Sequence, residues 1–187
     1  KYSQMSRSQQ GLAGAGEWET LRKLLPDFKD KRVLDLGCGY GWHCIYAMEH
    51  GASSVVGVDI SHKMLEVAKE KTHFPQVEYK CCAIEDVEFP EESFDVILSS
   101  LAFHYVADYE ILVKKIYRIL KSGGKLVFTV EHPVFTAYGT QDWHYNEKGE
   151  ILHFPVDNYY YEGKRTAVFL GEKVTKYHRT LTLSLIH

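Results

Sequence analysis

A strand that runs directly into a glycine-rich turn constrains this chain more than any other feature. The apolar run Val33–Leu36 is followed by Gly-Cys-Gly-Tyr-Gly at residues 37–41, and then by a helical pattern that Gly51 is expected to end. A second apolar strand, Ser54–Ile60, carries Asp59 close to its end. This order of strand, turn, helix and strand is typical of an open α/β sheet that holds a ligand at the carboxyl ends of its strands.

The alternation of strands and helices continues through the next seventy residues. Three further strands are predicted at Val77–Ala83, Phe94–Ser99 and Lys125–Val130. The helix before the last strand is expected to begin after Asp108 and to end at Gly123-Gly124. The connections are short, so we expect an α/β fold: a Rossmann-like, mainly parallel sheet with helices on both faces.

Composition and charge exclude several classes of protein. The 187 residues are 45% hydrophobic, which supplies a core and excludes wholesale disorder. The 22 basic and 25 acidic residues leave a net charge of −3, so there is no general positive field for a nucleic-acid backbone. No apolar run approaches the roughly 20 residues of a membrane helix. We expect a cytoplasmic protein with no nucleic-acid or membrane partner.

The cysteines and histidines do not predict a metal site. The four cysteines lie at positions 38, 44, 81 and 82, and they do not form the pattern of a secreted disulfide framework. Neither a Cys-x-x-Cys pair nor a His-x-x-x-His pair occurs, although the chain has 10 histidines. No metal cofactor is therefore expected.

Two acidic residues indicate which ligand the glycine turn holds. Asp59, at the end of its strand, is placed to accept both hydroxyls of a ribose. Asp35 precedes the first glycine by two residues, where its charge repels an anionic pyrophosphate and attracts a cationic amino-acid moiety. The spacing of Gly37, Gly39 and Gly41 is Gly-x-Gly-x-Gly rather than the Gly-x-Gly-x-x-Gly of dinucleotide-binding enzymes. A positively charged adenosyl ligand is favoured.

From Arg32 to Val130 the sequence resembles the class I S-adenosylmethionine-dependent methyltransferases, in the broad group called type 11. The resemblance implies a Rossmann-like fold, S-adenosylmethionine as the cofactor, S-adenosylhomocysteine as its product, and transfer of a methyl group. It rests on an ordered series of segments: Val33–Gly41, Asp59-Ile60, Cys82–Asp86, Ser93–Asp95, Asp95–Tyr105 and Leu120–Val130. Beyond them, Glu131-His132-Pro133 and an aromatic tail resemble a bacterial subgroup of methyltransferases with unassigned substrates.

The resemblance also implies which residues bind the cofactor. The adenine is expected to pack on Ile60, with Met64 on its other side. Tyr2 or Arg7, on an N-terminal arm, is expected at the methionine end, unless that arm is only a solvated terminus. Trp42 contacts the adenosine or only packs its helix. The predicted cofactor-binding set is Tyr2, Arg7, Asp35, Gly37, Gly39, Gly41, Trp42, Asp59, Ile60, Met64, Ala83, Ile84, Glu85 and Ser99.

The sequence departs from the family pattern at Ala83. Many relatives carry an aspartate there, which bonds the amino group of the adenine. The backbone N–H near Ile84 and the side chain of Glu85 remain to do so here. We therefore expect adenine recognition to depend more strongly on apolar stacking in this chain.

The candidate catalytic residues come directly after the carboxyl ends of the fourth and fifth predicted strands. Methyl transfer from a sulfonium is an in-line displacement, and a general base is needed only if the nucleophile must lose a proton. The strand ends offer His104 and Tyr105 after the fourth strand and Glu131 and His132 after the fifth. His104 and His132 are the candidates for the base. The alternative for each is a bond to backbone or a place in the pocket lining.

Three segments are expected. Residues 1–30 form an N-terminal arm and helix, 31–131 the Rossmann-like core that binds S-adenosylmethionine, and 132–187 an aromatic-rich cap on the substrate side. The family sheet has seven strands, the last two in an antiparallel hairpin, whereas five parallel strands are recognised here. The C-terminal strands are therefore expected to be truncated.

The sequence thus predicts an S-adenosylmethionine-dependent methyltransferase that acts on a small-molecule acceptor, as a monomer or homodimer. O-, N- and C-methylation are all open. One alternative is a nicotinamide-dependent oxidoreductase, which would share the glycine turn and Asp59. Another is a protein that binds S-adenosylmethionine without turnover. A third, methylation of protein or RNA, would need a basic face or a recruiting domain, and neither is visible in the sequence.

Overall fold

A computed structural model describes residues 9–185 of the chain. Within this range the chain divides into two compact units. The first unit contains the described residues up to Ala102 together with Ile111–Thr129. The second contains Phe103–Glu110 and the described residues from Val130 onwards. The domain limits drawn from the sequence remain a prediction.

The first unit is built on a five-stranded parallel sheet in the order β3-β2-β1-β4-β5. The strands are β1 (Arg32–Leu36), β2 (Ser54–Asp59), β3 (Val77–Cys81), β4 (Phe94–Ser100) and β5 (Leu120–Thr129). The helices are α1 (Trp18–Leu24), α2 (Trp42–Glu49), α3 (His62–Lys71) and, from Ile111 onwards, α4 (Tyr109–Ile119), with 3₁₀ turns at Gly11–Gly14 and Ile84–Asp86. The predicted α/β fold, a Rossmann-like parallel sheet flanked by helices, is confirmed.

The central strands are apolar because helices cover the sheet on both sides. In the middle of β1, Leu34 is fully buried and pairs with Val56 of β2 and Ile97 of β4. The strand order reverses at β1, because β2 and β3 lie on one side of it and β4 and β5 on the other. Open α/β sheets bind ligands at such a reversal, outside the carboxyl ends of the strands.

The last helix of the first unit ends earlier than the sequence indicates. Helix α4 stops at Ile119, and Leu120 already pairs with Phe94 of β4. Gly123-Gly124, expected to end the helix, lies instead within β5, where the register with β4 shifts. The prediction was wrong because glycine marks a strand irregularity as readily as a helix end.

The second unit consists of short elements. They are a 3₁₀ turn at Phe103–Tyr105, helices α5 (Pro133–Ala137) and α6 (Leu181–Leu185), and strands β6 (His144–Tyr145), β7 (Ile151–His153), β8 (Gly163–Phe169) and β9 (Glu172–His178). Strands β8 and β9 form an antiparallel pair, in which Ala167 pairs with Val174.

The interior of the second unit contains a bonded histidine. His178 is fully buried on β9; its Nδ1 lies 2.8 Å from Oγ1 of Thr136 and its Nε2 lies 2.8 Å from the carbonyl oxygen of Tyr159. A carbonyl only accepts, so Nε2 of His178 donates to Tyr159, while Nδ1 is hydrogen-bonded to the hydroxyl of Thr136. This pair ties α5 to the β8–β9 hairpin.

Candidate cofactor site

The turn between β1 and α2 has two positions that only glycine can occupy. Gly37 has a φ of +81°, and a Cβ there would lie 2.5 Å from the Cβ of Ala102. Gly41 has a φ of +75°, and a Cβ there would overlap the hydroxyl of Tyr79. Both φ values are in the region that L side chains disfavour. The turn is therefore fixed by backbone geometry and by close packing together.

The turn is joined to the end of β2 by hydrogen bonds. The backbone N–H groups of Gly37 and Cys38 donate to the carbonyl of Val58, at 2.8 and 2.9 Å. The side chain of Asp59 adds a third link, because its Oδ2 accepts the N–H of Gly39 at 2.9 Å. The glycine turn and the carboxyl end of β2 thus form one rigid edge.

Asp59 is oriented by the backbone on both of its oxygens. While Oδ2 accepts from Gly39, Oδ1 accepts the N–H of Ser61 at 2.8 Å. Ser61 also caps α3, since its hydroxyl accepts the N–H of Met64 at 3.4 Å. A carboxylate oxygen accepts two hydrogen bonds, so each oxygen of the half-buried Asp59 retains a lone pair for a ligand hydroxyl. The arrangement fits a ribose diol.

Asp35 is a buried carboxyl with one oxygen that has no partner. The residue is 1% exposed, and its Oδ2 accepts a weak bond from the thiol of Cys44 at 3.5 Å. Its Oδ1 is buried and has no hydrogen-bond partner within residues 9–185. Burial raises the pKa of Asp35 to about 7; the bond from Cys44 opposes this rise and the charge of Asp59 adds to it. A cation beside Oδ1 would stabilise the ionised form, whereas an anion would oppose it.

The residues predicted at the adenine lie around the ends of β2 and β3. Ile60 follows β2 directly and is 74% exposed, so it offers an apolar surface for a flat ring. Met64, in the first turn of α3, is half-buried. Ala83 is extended and precedes the 3₁₀ turn that contains Ile84 and Glu85. These side chains fit an adenine held mainly by stacking.

Two predicted cofactor residues are placed by contacts within the protein. Ser99 is 1% exposed, and its hydroxyl donates to the carbonyl of Leu36 at 2.8 Å, which joins β4 to β1. The ring of Trp42 packs against Gly11, and Nζ of Lys71 lies 5.0 Å from its centroid. These contacts indicate that Trp42 packs its helix against the protein and that Ser99 holds β4 against β1. Their roles toward the cofactor stay predictions.

The structure brings most of the predicted set together at one edge of the first unit. Asp35 lies in β1, the glycine turn follows that strand, and Asp59 is the last residue of the adjacent β2, with Ile60 next to it in the chain. Tyr2 and Arg7 lie outside the described residues, and their role stays a prediction. Among the residues that the structure does describe, no group of three or more metal-ligating side chains is placed to hold an ion.

The second unit holds both predicted catalytic histidines. His104 is 5% exposed; its Nδ1 accepts the N–H of Glu131 at 3.5 Å and its Nε2 lies 3.9 Å from Oε1 of the same residue. Burial lowers the pKa of His104 to about 4; Glu131 opposes this fall, and Lys176 and Arg179 add to it. His104 is therefore uncharged at neutral pH, with its proton on Nε2.

His132 has a different environment. It is exposed, and its Nδ1 accepts the N–H of Val134 at 3.2 Å, which makes it the N-cap of α5. Pro133 occupies the first position of that helix, where a missing N–H is tolerated. His132 thus begins a helix, and its catalytic role stays a prediction.

A buried ion pair in the second unit was not predicted from the sequence. The ammonium of Lys176 is 2.5 Å from Oε1 of Glu131 and 2.8 Å from Oε1 of Gln141. Nε2 of Gln141 donates to Oε2 of Glu131 at 3.0 Å, so the three side chains form a closed ring. The alternation of side chains along β9 could have indicated that Lys176 is buried, because it lies on the same face of the strand as the buried His178.

Comparison with known proteins identifies the class. A family model described as "Methyltransferase domain" matches residues 34–128, more than half of the chain. A solved structure from Listeria monocytogenes, of a protein assigned to the S-adenosylmethionine-dependent methyltransferases, is 56% identical with a TM-score of 0.87, over 91% of this chain and 80% of that one. A Mesorhizobium loti enzyme of the same class is 40% identical with a TM-score of 0.85, over 94% and 80%.

The chain therefore belongs to the class I S-adenosylmethionine-dependent methyltransferases, whose methyl donor is S-adenosylmethionine. Among curated proteins, the ubiquinone biosynthesis O-methyltransferase of Coxiella burnetii is 36% identical over 112 residues. That alignment covers 59% of this chain and 47% of the enzyme, so the chain spans about half the length of this relative. No helix among residues 9–185 is long and apolar enough to cross a membrane.

Proposed function

We propose that this chain transfers the methyl group of S-adenosylmethionine to a small-molecule acceptor. The observation that carries the proposal is the pair of carboxyl groups beside the glycine turn. Asp35 presents a buried oxygen that has no partner among the described residues, which suits the cationic amino-acid end of the cofactor. Asp59 presents a carboxylate oriented by two backbone N–H groups, which suits the ribose hydroxyls.

The other predicted residues complete this cofactor site in the proposal. Gly37, Gly39 and Gly41 let the backbone approach the nucleoside closely. The adenine packs on Ile60 and Met64, and its polar edge meets the backbone and side chains of Ala83, Ile84 and Glu85. When bound, S-adenosylmethionine supplies an electrophilic methyl group on a sulfonium. The residues of the chain hold that group and exclude water.

The net charge of the chain and its similarity to a curated enzyme support a small molecule as the acceptor. The net charge of −3 gives no general attraction for RNA. The Coxiella burnetii relative is by name an O-methyltransferase of ubiquinone biosynthesis, and we extend to this chain only the class of a small acceptor. His104 is uncharged, but its Nδ1 accepts the N–H of Glu131. This contact supports a positioning role for His104 beside that glutamate rather than the predicted role as the base.

The experiment is methyl transfer with tritium-labelled S-adenosylmethionine. The purified chain is incubated with the dialysable fraction of a bacterial extract and, separately, with the retained macromolecules. The proposal expects label in small molecules, and much less of it with an Asp59→Asn variant. An Asp30→Asn variant is the control, because Asp30 is exposed and has a φ of 60° that asparagine tolerates. Label found only in protein or RNA would contradict a small-molecule acceptor.

A further inference from the structure

The ring of Glu131, Gln141 and Lys176 has one open side. The side chain of Lys176 is 3% exposed, whereas that of Glu131 is 26% exposed. Glu131 is therefore the member of this ion pair that solvent or a ligand can reach, while Lys176 is enclosed by protein. Burying a lysine is costly unless its charge is compensated, and here Glu131 and Gln141 compensate it.

The arrangement fixes the carboxylate in one orientation. Each oxygen of Glu131 accepts one hydrogen bond from within the ring, from Lys176 on Oε1 and from Gln141 on Oε2. Each oxygen still has capacity for a second bond. A glutamate held in this way is a fixed acceptor for a group that donates hydrogen bonds.

The charge around the carboxylate selects between two kinds of donor. Lys176 balances the charge of Glu131. His104 itself is uncharged. The group as a whole is therefore not negative, so a ligand ammonium gains little there, whereas a neutral hydroxyl can still donate to Glu131.

Aromatic rings border the same cluster. The ammonium of Lys176 lies 5.9 Å from the ring centroid of Tyr105 and 6.0 Å from that of Phe169. Tyr105 is 40% exposed, and its ring is 4.3 Å from that of His104 between centroids. A flat ring can stack on the exposed face of Tyr105 while its hydroxyl meets the carboxylate.

We propose that Glu131 is the acceptor-binding residue for a neutral aromatic hydroxyl compound, and that Lys176 and Gln141 are positioning residues for it. The inference rests on the proposed function and narrows its acceptor to the phenol class. It predicts that the hydroxyl stays protonated when bound, because an adjacent carboxylate accepts its hydrogen and opposes a second negative charge.

The test uses 4-nitrocatechol, whose absorption spectrum differs between its protonated and ionised forms. Increasing amounts of the chain, saturated with S-adenosylhomocysteine, are added to the probe. The pH is the one at which half of the free probe is ionised. The wild type is expected to bind the probe and shift its spectrum toward the protonated form. In Glu131→Gln the carboxylate is lost, so that shift disappears or reverses and affinity falls about 10- to 100-fold.

Three further variants and a control distinguish a role in positioning the carboxylate from a general loss of stability. Lys176→Arg keeps the positive charge and is expected to retain the protonated spectrum, whereas Lys176→Met is expected to lose affinity for the probe. Glu131→Asp keeps the acidic group and is expected to retain the protonated spectrum with weaker binding, so the test survives if Glu131→Gln does not fold. Glu147→Gln, at an exposed glutamate of the same unit, is the matched control and is expected to behave as the wild type.

The possible results distinguish the two proposals. A folded chain that binds no S-adenosylhomocysteine contradicts the proposed function. A chain that binds S-adenosylhomocysteine but not 4-nitrocatechol contradicts only the assignment of Glu131. The same protonated shift in the wild type and in folded Glu131→Gln also overturns that assignment, because the carboxylate would then have no part in binding the hydroxyl.

Discussion

Asp59 accepts the backbone N–H of Gly39 through Oδ2 at 2.9 Å, and so joins the end of β2 to the turn that follows β1. The residue expected to bind the ribose is therefore also the residue that holds the glycine turn in place. A substitution of Asp59 acts on the cofactor directly and through the turn. A substitution can therefore act through local packing, through a buried charge or through ligand binding. A matched control variant is needed to tell these effects apart.

The first prediction concerns the overlap between Gly41 and Tyr79. Gly41→Ala and Gly123→Ala both place an alanine at a φ of +75°, which L side chains disfavour. Only at Gly41 does the new Cβ meet an atom, the hydroxyl of Tyr79, whereas nothing lies within 4 Å at Gly123. Gly41→Ala is expected to lower the free energy of unfolding by about 1–3 kcal/mol more than Gly123→Ala, measured by urea denaturation.

A double mutant tests the cause of that difference. Tyr79→Phe removes the hydroxyl, so Gly41→Ala is expected to cost less stability in the Tyr79→Phe background than in the wild type. Equal losses in the two backgrounds would show that the hydroxyl is not the obstacle. Tyr79 also bonds Thr72 at 2.7 Å, and the loss of that bond is measured by the single variant.

The second prediction concerns stability and pH. In the unfolded chain Asp35 releases its proton near the ordinary aspartate pKa of 3.8, whereas the folded chain holds it until about pH 7. Between these values the folded state binds more protons, so the free energy of unfolding falls as pH rises, by up to about 1.4 kcal/mol per pH unit. Asp35→Asn removes this contribution.

The difference between wild type and Asp35→Asn is the quantity to measure, by urea denaturation from pH 4 to pH 8. His104 contributes a slope of the opposite sign, because its pKa falls from 6.5 to about 4 on folding and stability is lost as pH drops between these values. That slope is common to both proteins and cancels. Parallel curves for the two proteins would contradict a raised pKa for Asp35.

The third prediction links the same proton to the cofactor. S-adenosylhomocysteine carries a cationic amino group, and in the proposed site this group lies beside the ionised form of Asp35. Binding below pH 7 is then expected to release a proton from Asp35, since its pKa in the free chain is about 7. Calorimetry in buffers of different ionisation enthalpy measures this release. It is expected to vanish above pH 8 and in Asp35→Asn; proton uptake at pH 6 would be inconsistent with it.

Much of the fold and the cofactor edge follows from local sequence. The glycine turn, Asp35 and Asp59 lie within 25 residues. The sequence patterns next to them predict the strands, the turn and the helix that position them. The ring of Glu131, Gln141 and Lys176 could not be predicted in this way. Lys176 and Glu131 are 45 residues apart in the sequence, and their contact depends on how the β8–β9 hairpin packs. Strand alternation places a side chain on a face of the sheet but does not give its partner.

The fourth prediction concerns the buried His178. Thr136→Val leaves Nδ1 of His178 without its hydrogen-bond partner in a fully buried place, because the hydroxyl of Thr136 lies 2.8 Å away in the wild type. We expect a loss of about 1–3 kcal/mol in the free energy of unfolding, the cost of an unsatisfied buried polar atom. Thr140→Val, at an exposed threonine, is expected to change little. Equal effects of the two substitutions would argue against a structural role for this bond.

The central claim is that the edge formed by Asp35, the glycine turn and Asp59 binds S-adenosylmethionine. Its most direct test is calorimetric titration of the purified chain with S-adenosylhomocysteine, with NADH as the competing ligand and Asp59→Asn and Asp30→Asn as variants. We expect the nucleoside to bind and NADH not to bind. Asp59→Asn should weaken binding by about 1–3 kcal/mol, and Asp30→Asn should leave it unchanged. Binding of NADH instead, or of neither ligand by the folded chain, would contradict the account.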